Sequence, residues 1–308
     1  MKCCHAVIYS DMLLHGMLQE RRCAGQPGAT NSGVHSINLW FYYVYFVQQS
    51  KNRTRVRYWQ MHVSLYMPSG YHESKLLQHR YYSTDITLTM QIKFYFDVIS
   101  PYAWLAWRPL LSIAERHNAD LVPVPTLFAG LLHANGQLGP AEIPNKRLWL
   151  IKDVMRRAAS HGLSMSIPPY HPFNPLLALR VASLDMSAPT RRQLTGKLLD
   201  AAWLHGKDIS NCGVVSDIVY ECGLNGSECI TEARDRNDIK KRLKFQTEEA
   251  LSIGAFGVPT IYVNNELFWG SESDTMAHIE AVLEGHDSVN VELLKKWTHT
   301  TPSASRRR

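Results

Sequence analysis

The sequence predicts an α/β fold in which a strand-helix-strand unit is separated from a C-terminal hairpin and helix by an all-helical insertion. Three observations predict it. The apolar strand Ile92 to Val98 runs straight into Ser100-Pro101. Ser-Pro is an N-cap and N1 pair: the hydroxyl accepts from a free backbone N–H, and proline lacks the N–H that would go unsatisfied. Far downstream, Phe256-Gly257-Val258-Pro259-Thr260 leads into a second short apolar strand, and the residues between read mostly as helices punctuated by Pro and Gly.

Each element has its own signal. Gln91 to Val98 reads as a strand, Tyr102 to His117 as a helix, and Asp120 to Leu127 as a second strand, parallel to the first through a right-handed crossover. Trp104, Trp107, Leu111 and Ala114 fall at helical spacing and predict the helix's core stripe. Helices follow at Lys146 to His161, Pro175 to Asp185, Thr190 to His205, a short one after Val214, and Asp238 to Ile253. Ile167-Pro-Pro-Tyr-His-Pro-Phe173 cannot be helical, since its prolines remove donors and hold the backbone extended; it is expected on the surface near the site's mouth. Thr260 to Val263 and Glu266 to Trp269 flank Asn264-Asn265, residues that tolerate positive φ, so a hairpin is expected. Gly270-Ser271 opens a last helix running to Leu283, and the polar tail beyond Gly285 is expected to fray.

The predicted boundaries are an extension at 1–89, a domain at 90–129 and 254–286, an inserted helical domain at 130–253 and a polar tail at 287–308. The extension has no sustained helical period and one concentrated apolar run, Leu39 to Val47, too short to span a bilayer. It is expected to be disordered or foreign to the natural protein, with no role in catalysis. A targeting leader competes: the stretch is acid-poor with several arginines, which would make the compartment mitochondrial, but it is long and rich in Tyr.

With 308 residues and 45% hydrophobic content the composition is soluble and globular, and no membrane segment is expected. The formal net charge of +6 arises largely from the acid-poor N-terminal stretch and from Arg306, Arg307 and Arg308, not from a basic helix face with interleaved aromatics. Nucleic-acid binding is therefore not expected. Cys3, Cys4, Cys23, Cys212, Cys222 and Cys229 form no Cys-x-x-Cys pair, which fits a reducing compartment, the cytoplasm. Cys3 and Cys4 beside His5 lack a second ligand pair with finger spacing, and the histidines show no paired spacing, so no metal is expected. No phosphate loop and no Gly-x-Ser-x-Gly elbow occurs.

Taken in order, strand, Ser-Pro helix start, helical stretch, Val-Pro-Thr, hairpin with Phe268-Trp269-Gly270 and final helix, the chain from Met90 to Gly285 resembles a thioredoxin-like fold with an inserted all-helical domain. It is the arrangement of DsbA-type disulfide oxidoreductases, kappa-class glutathione transferases and 2-hydroxychromene-2-carboxylate isomerases. Members commonly begin where Met90 stands. Oxidoreductases of this superfamily carry Cys-x-x-Cys at the start of the first helix. Here the positions are Ser100, Pro101, Tyr102 and Ala103, so dithiol exchange at this place is excluded. The chain is similar to the glutathione-using branch, in which the matching serine donates a hydrogen bond to the sulfur of bound glutathione. A thiolate at a helix N-terminus is favoured by the dipole and free N–H groups, so Ser100 would activate the cofactor without being a nucleophile.

The resemblance implies further glutathione contacts. A cis Val258–Pro259 bond would turn the Val258 N–H and C=O outward to pair with the cysteinyl part. Ser271 and Glu272 open the terminal helix, where a carboxylate is favoured. The family has Ser-Asp or Asn-Asp there, its acid meeting the γ-glutamyl ammonium, and in this chain either Glu272 or Asp274 would serve. Ser271 reads equally as a helix cap, and both roles are compatible. Aligning on Gly136 places the family's amide side chain at Gln137. Lys146, Lys152, Asp153 and Arg156 read instead as helix-face charges without a site role. Pro101 and Tyr102 complete the glutathione set, and an apolar acceptor pocket is assigned to Tyr102, Trp104, Phe128 and Phe173.

The function so implied is glutathione-dependent isomerisation of 2-hydroxychromene-2-carboxylate-like aromatic compounds, as in aromatic hydrocarbon catabolism, by thiolate addition, bond rotation and elimination. A kappa-class transferase, which releases the adduct, shares every residue named. A redox-inert thioredoxin-fold binding protein would keep the motifs as scaffold only. The expected partners are glutathione, a small aromatic substrate and, by the family's habit, a second copy in a homodimer.

Overall fold

The computed structural model describes the strands β1 (Tyr42–Ser50) and β2 (Arg53–Met61) and residues 90–304. The chain divides into two compact units, Met1–Leu88 and Thr89–Arg308. In the first, β1 and β2 pair antiparallel, from Tyr42 opposite Met61 to Ser50 opposite Arg53. This hairpin falls where no element was expected; its Val, Tyr, Phe and Trp content suits paired strands. Cys3, Cys4, Cys23 and the three terminal arginines lie outside the described residues.

The second unit is built on a four-stranded sheet in the order β4 (Asp120–Pro125), β3 (Gln91–Phe96), β5 (Thr260–Val263), β6 (Glu266–Trp269). Strand β3 runs parallel to β4 through helix α1 (Pro101–Arg116) and antiparallel to β5, which pairs antiparallel with β6. Tyr95 lies opposite Thr260, and Thr260 opposite Trp269. The end of β3, the start of β5 and the end of β6 therefore meet at one end of the sheet. Asn264 and Asn265 take φ of 49° and 67°, the left-handed pair that a two-residue hairpin turn requires.

Strand β3 is buried on both faces. Ile92, Phe94 and Phe96 join the larger core, where the Phe94 and Phe96 rings stack 5.6 Å apart and Phe94 meets Trp107 of α1 at 5.5 Å. Tyr95 points to the opposite face, with Val124, Leu131, Ala250, Ala255 and Val258. Its hydroxyl donates to Glu249 at 2.9 Å, and Lys93 reaches the same oxygen at 2.7 Å, so the polar tips of this face are paired. Along α1, Trp104, Trp107 and Ala114 are buried as expected, but Leu111 is exposed and its neighbour Leu110 takes the core position.

The insertion holds α2 (Phe128–Ala134), a short 3-10 turn at Pro140–Glu142, α3 (Pro144–Ser160), α4 (Leu176–Ala182), α5 (Ala188–Trp203), α6 (Cys212–Tyr220), α7 (Gly226–Asp235) and α8 (Asn237–Ser252). Side-chain caps open three of them: Ser187 for α5, Asn211 for α6 and Asn225 for α7. Trp203 at the end of α5 is buried and donates its indole N–H to the Val98 carbonyl at 2.9 Å, tying the insertion to the loop that leaves β3. Helix α9 (Ser273–Leu283) closes the sheet. Contrary to the expected frayed tail, α10 (Val291–Thr298) follows, every residue of it exposed. Among the described residues no helix is long and apolar enough to cross a membrane.

Candidate active site

The loop from β3 to α1 presents Ser100. It takes φ −93° and ψ 115°, the extended geometry of an N-cap, and its Oγ accepts from the Ala103 N–H at 3.3 Å. The same hydroxyl donates to the Val258 carbonyl at 3.3 Å. The O–H···O contact to Val258 is long against the usual ~2.8 Å, and the N–H···O cap is long against ~2.9–3.0 Å. The proton can therefore be redirected at little cost. Beneath the loop lies Asp97, fully buried, accepting from the N–H groups of Ile99 at 3.1 Å and Phe128 at 2.9 Å. Burial pushes its carboxyl up to about 7, although these two donors pull the other way.

Facing Ser100 is the loop before β5. Its Val258–Pro259 bond is cis, as expected. The Val258 carbonyl does not turn to a free edge, however, because it receives the Ser100 hydroxyl, and Val258 itself is buried. Among the described residues the Val258 N–H donates to no backbone acceptor, which leaves one half of the expected pairing edge available. Gly257 lies tight against Trp269: a Cβ there would come within 2.7 Å of the indole nitrogen, so any larger residue would have to displace that side chain. The Pro259 carbonyl accepts from Gly270 N–H at 3.2 Å and so carries the chain to the start of α9.

That start has no side-chain cap. Glu272 occupies the N-cap position, but its carboxylate turns back to the Ser271 N–H at 2.9 Å and across to Arg157 Nη1 of α3 at 3.0 Å. Ser271 is 3% exposed, and its Oγ has no partner. Arg157 also holds Asp153 Oδ2 through Nε at 2.7 Å and lies over the Tyr102 ring, 5.6 Å from its centre. Asp153 accepts from the Tyr102 hydroxyl at 2.9 Å. Burial, and then this bond to a carboxylate, push the Tyr102 phenol well above its ordinary range. The contacts close a ring that runs from Ser100 through Val258, Pro259, Gly270, Ser271, Glu272, Arg157 and Asp153 to Tyr102, two residues from where it began.

Of the residues singled out from sequence, Ser100, Pro101, Tyr102, Val258, Pro259, Ser271 and Glu272 all lie in or beside this ring. Glu272, not the exposed Asp274, is the acid engaged across the site. Gln137 stands exposed on the loop after α2, and its side chain has no hydrogen-bond partner among the described residues. The acceptor-pocket assignment needs correction. Trp104 is fully buried with its indole N–H on Asp200 at 2.8 Å, and Phe173 is buried against His171 and Trp203, so neither offers surface to a substrate. Phe128 is half-buried at the start of α2 and packs on the second core. The segment Ile167 to Phe173 does border the site: His171 Nε2 donates to the Ile99 carbonyl at 3.2 Å.

Three residues escaped the sequence reading. Asp97 stands near the end of the stretch read as the first strand, Gln91 to Val98, and carried no signal beyond being the one acid in it. Asp153 was taken for a helix-face charge, and Arg157 was not singled out. Their i,i+4 spacing on α3 was the available signal, and it fits a plain surface pair equally well.

A family model described as "DSBA-like thioredoxin domain" matches residues 91–280. The chain belongs to the DsbA-like thioredoxin family. Within this DsbA-like protein, the helix start that gives disulfide-exchanging members their reactive pair holds Ser100 and Ala103. Similar proteins include glutathione S-transferase kappa 1 of Rattus norvegicus, 23% identical over 68% of this chain and 94% of that one. The 2-hydroxychromene-2-carboxylate isomerase of Pseudomonas putida is 23% identical over 59% of this chain and 90% of that one. Both are names of enzymes. A solved 2-hydroxychromene-2-carboxylate isomerase structure superposes with a TM-score of 0.57 at 21% identity, covering 68% of this chain and 98% of that one, a likeness of fold.

Proposed function

We propose that this DsbA-like protein uses glutathione as a thiol cofactor to isomerise 2-hydroxychromene-2-carboxylate-like aromatic compounds. The observation that carries the reading is the placement of a redirectable Ser100 hydroxyl at the N-terminus of α1, opposite an unpaired Val258 N–H, with no thiol in the ring. The residues present fit glutathione. The buried Ser271 hydroxyl lacks a partner, and the α9 N-terminus lacks a cap, where the γ-glutamyl end of a tripeptide extended along Val258 would find both. When bound, glutathione supplies a thiolate that adds reversibly to an unsaturated carbon.

The chain's own groups have distinct tasks in this reading. Ser100 turns its proton from the Val258 carbonyl toward the sulfur. The positive end of α1, where the Tyr102 N–H has no hydrogen-bond partner among the described residues, lowers the charge cost of a thiolate. Val258 N–H orients the cysteinyl unit, while Ser271 and Glu272 hold the distal end. Support for the isomerase comes from the relatives of that name; the kappa-transferase relatives support a second reading in which the same site releases the adduct.

The test is turnover of 2-hydroxychromene-2-carboxylate by the full chain with and without glutathione. Isomer interconversion that requires glutathione but leaves its concentration unchanged is expected. Stoichiometric loss of glutathione into an adduct would establish the transferase. Absence of both turnover and glutathione binding would leave the binding-protein reading.

A further inference from the structure

We propose that Asp97 is a positioning residue for Ser100: its buried carboxyl group ties the turn that presents the hydroxyl to the first turn of α2, and so fixes where that hydroxyl stands. The inference rests on the reading of Ser100 under Proposed function and names the group that acts through it.

Asp97 directly follows β3 and is fully buried. Its backbone carbonyl accepts from the Ser100 N–H at 3.0 Å, and its Oδ1 accepts from the Ile99 N–H at 3.1 Å, so this one residue closes the turn from both main chain and side chain. Oδ2 reaches out of the turn to the Phe128 N–H at 2.9 Å. That N–H is the first of α2, whose N-cap residue Leu127 gives no side-chain hydrogen bond and whose first turn holds no acid. The insertion grips the same turn from its other sides, through Trp203 on the Val98 carbonyl at 2.9 Å and His171 on the Ile99 carbonyl at 3.2 Å. Those two donors hold the turn from outside. Asp97 holds the insertion from inside the turn, and it is joined to Ser100 by the main-chain bond.

An acid at this place costs stability. No basic side chain pairs with it among the described residues, and burial pushes its carboxyl up to about 7. A neutral side chain of the same shape would avoid that cost but would not make the same contacts. The ionised carboxyl offers one oxygen to each N–H, whereas asparagine has a single acceptor oxygen and would set its NH2 against the second N–H, donor to donor. The feature that folding disfavours is therefore the one that joins the turn to α2, a local conflict of the kind that marks functional positions.

The test reads the pKa of the bound glutathione thiol, from the ultraviolet absorbance of its thiolate against pH. The full-length protein is compared with Asp97→Asn, Asp97→Ser, Ser100→Ala and the double variant Asp97→Asn with Ser100→Ala. Two causes predict opposite signs. Removal of a nearby negative charge would lower the thiol pKa, whereas displacement of the Ser100 hydroxyl raises it. A rise is expected in Asp97→Asn and in Asp97→Ser, since each leaves the Phe128 N–H without its acceptor. The double variant should match Ser100→Ala to within about 0.3 in pKa, because Asp97 acts through that hydroxyl. Amide hydrogen exchange without ligand gives an independent readout: the Phe128 N–H should exchange roughly 10-fold faster in both Asp97 variants and at an unchanged rate in Ser100→Ala. A fall in the thiol pKa, a double variant that rises well beyond Ser100→Ala, or unchanged Phe128 exchange would overturn the positioning role while leaving the glutathione reading in place. If Asp97→Asn does not fold, Asp97→Ser decides by the same signs. If the unmodified protein binds no glutathione, the reading under Proposed function falls and takes this role with it.

Discussion

Helices α1 and α9 both start at the end of the sheet where β3 finishes, but α1 is closed by the Ser100 hydroxyl and Pro101 while α9 has no side-chain cap. The closed start carries one hydroxyl proton, given to the Val258 carbonyl. The open start carries unsatisfied donors and an acid, Glu272, that is turned back to the Ser271 N–H and across to Arg157. A side-chain cap uses one first-turn donor, whereas an uncapped first turn keeps all of its donors for a ligand. One end of one sheet thus sets a capped helix start beside an uncapped one, and the glutathione site proposed above rests on that pair.

The support under α1 gives the largest expected effect. Asp97 holds its proton up to about 7 in the folded chain, whereas an unfolded aspartate loses it near ~4. The raised value means that its contribution to stability is complete in acid and is lost as pH rises through 7, on the order of 4 kcal/mol at most. Denaturant unfolding at pH 5 and pH 8 should show the unmodified chain losing about 2.5 kcal/mol more than Asp97→Asn over that interval, since the loss begins near pH 4 and part of it is already complete at pH 5. Equal losses would place the charge elsewhere.

At the open start, Gly270 holds φ +104°, and a Cβ there would collide with the Glu272 carboxylate. Gly270→Ala should cost about 2 kcal/mol, and more where Glu272 cannot shift, through left-handed backbone strain and displacement of that acid. Thermal unfolding measures the loss, and a change within error would mean that α9 begins with more freedom than its geometry shows.

The smallest expected stability effect is at the closed start. Ser100→Ala removes one cap bond and should cost ~1 kcal/mol, with Pro101 still directing the helix. A much greater loss would make Ser100 a structural keystone, not an adjustable donor.

The closed start was the legible one. Ser100-Pro101 announces an N-terminus by local chemistry alone, as Asn264-Asn265 announces the hairpin, and both stand where expected. The open start was placed two residues early, because Gly270-Ser271 reads as a helix opening although regular geometry begins at Ser273. Helix α2 has no side-chain cap, and α10 was hidden in a tail judged only by its polarity. What local pattern could not give is the ring. Asp153 and Arg157 make an ordinary i,i+4 pair until Glu272, remote in sequence, arrives beside them, and the burial of Trp104 and Phe173 is decided by Asp200, His171 and Trp203. Pairings across long separations come from the assembled sheet and insertion, not from spacing.

The most direct test is calorimetric titration of glutathione into the full chain and into Ser100→Ala, repeated in buffers of different ionisation enthalpy to count protons. Saturable binding with proton release near neutral pH, reduced in Ser100→Ala while the fold is retained, is the predicted result. Equal affinity and equal proton release in both proteins would contradict an activated thiol at Ser100.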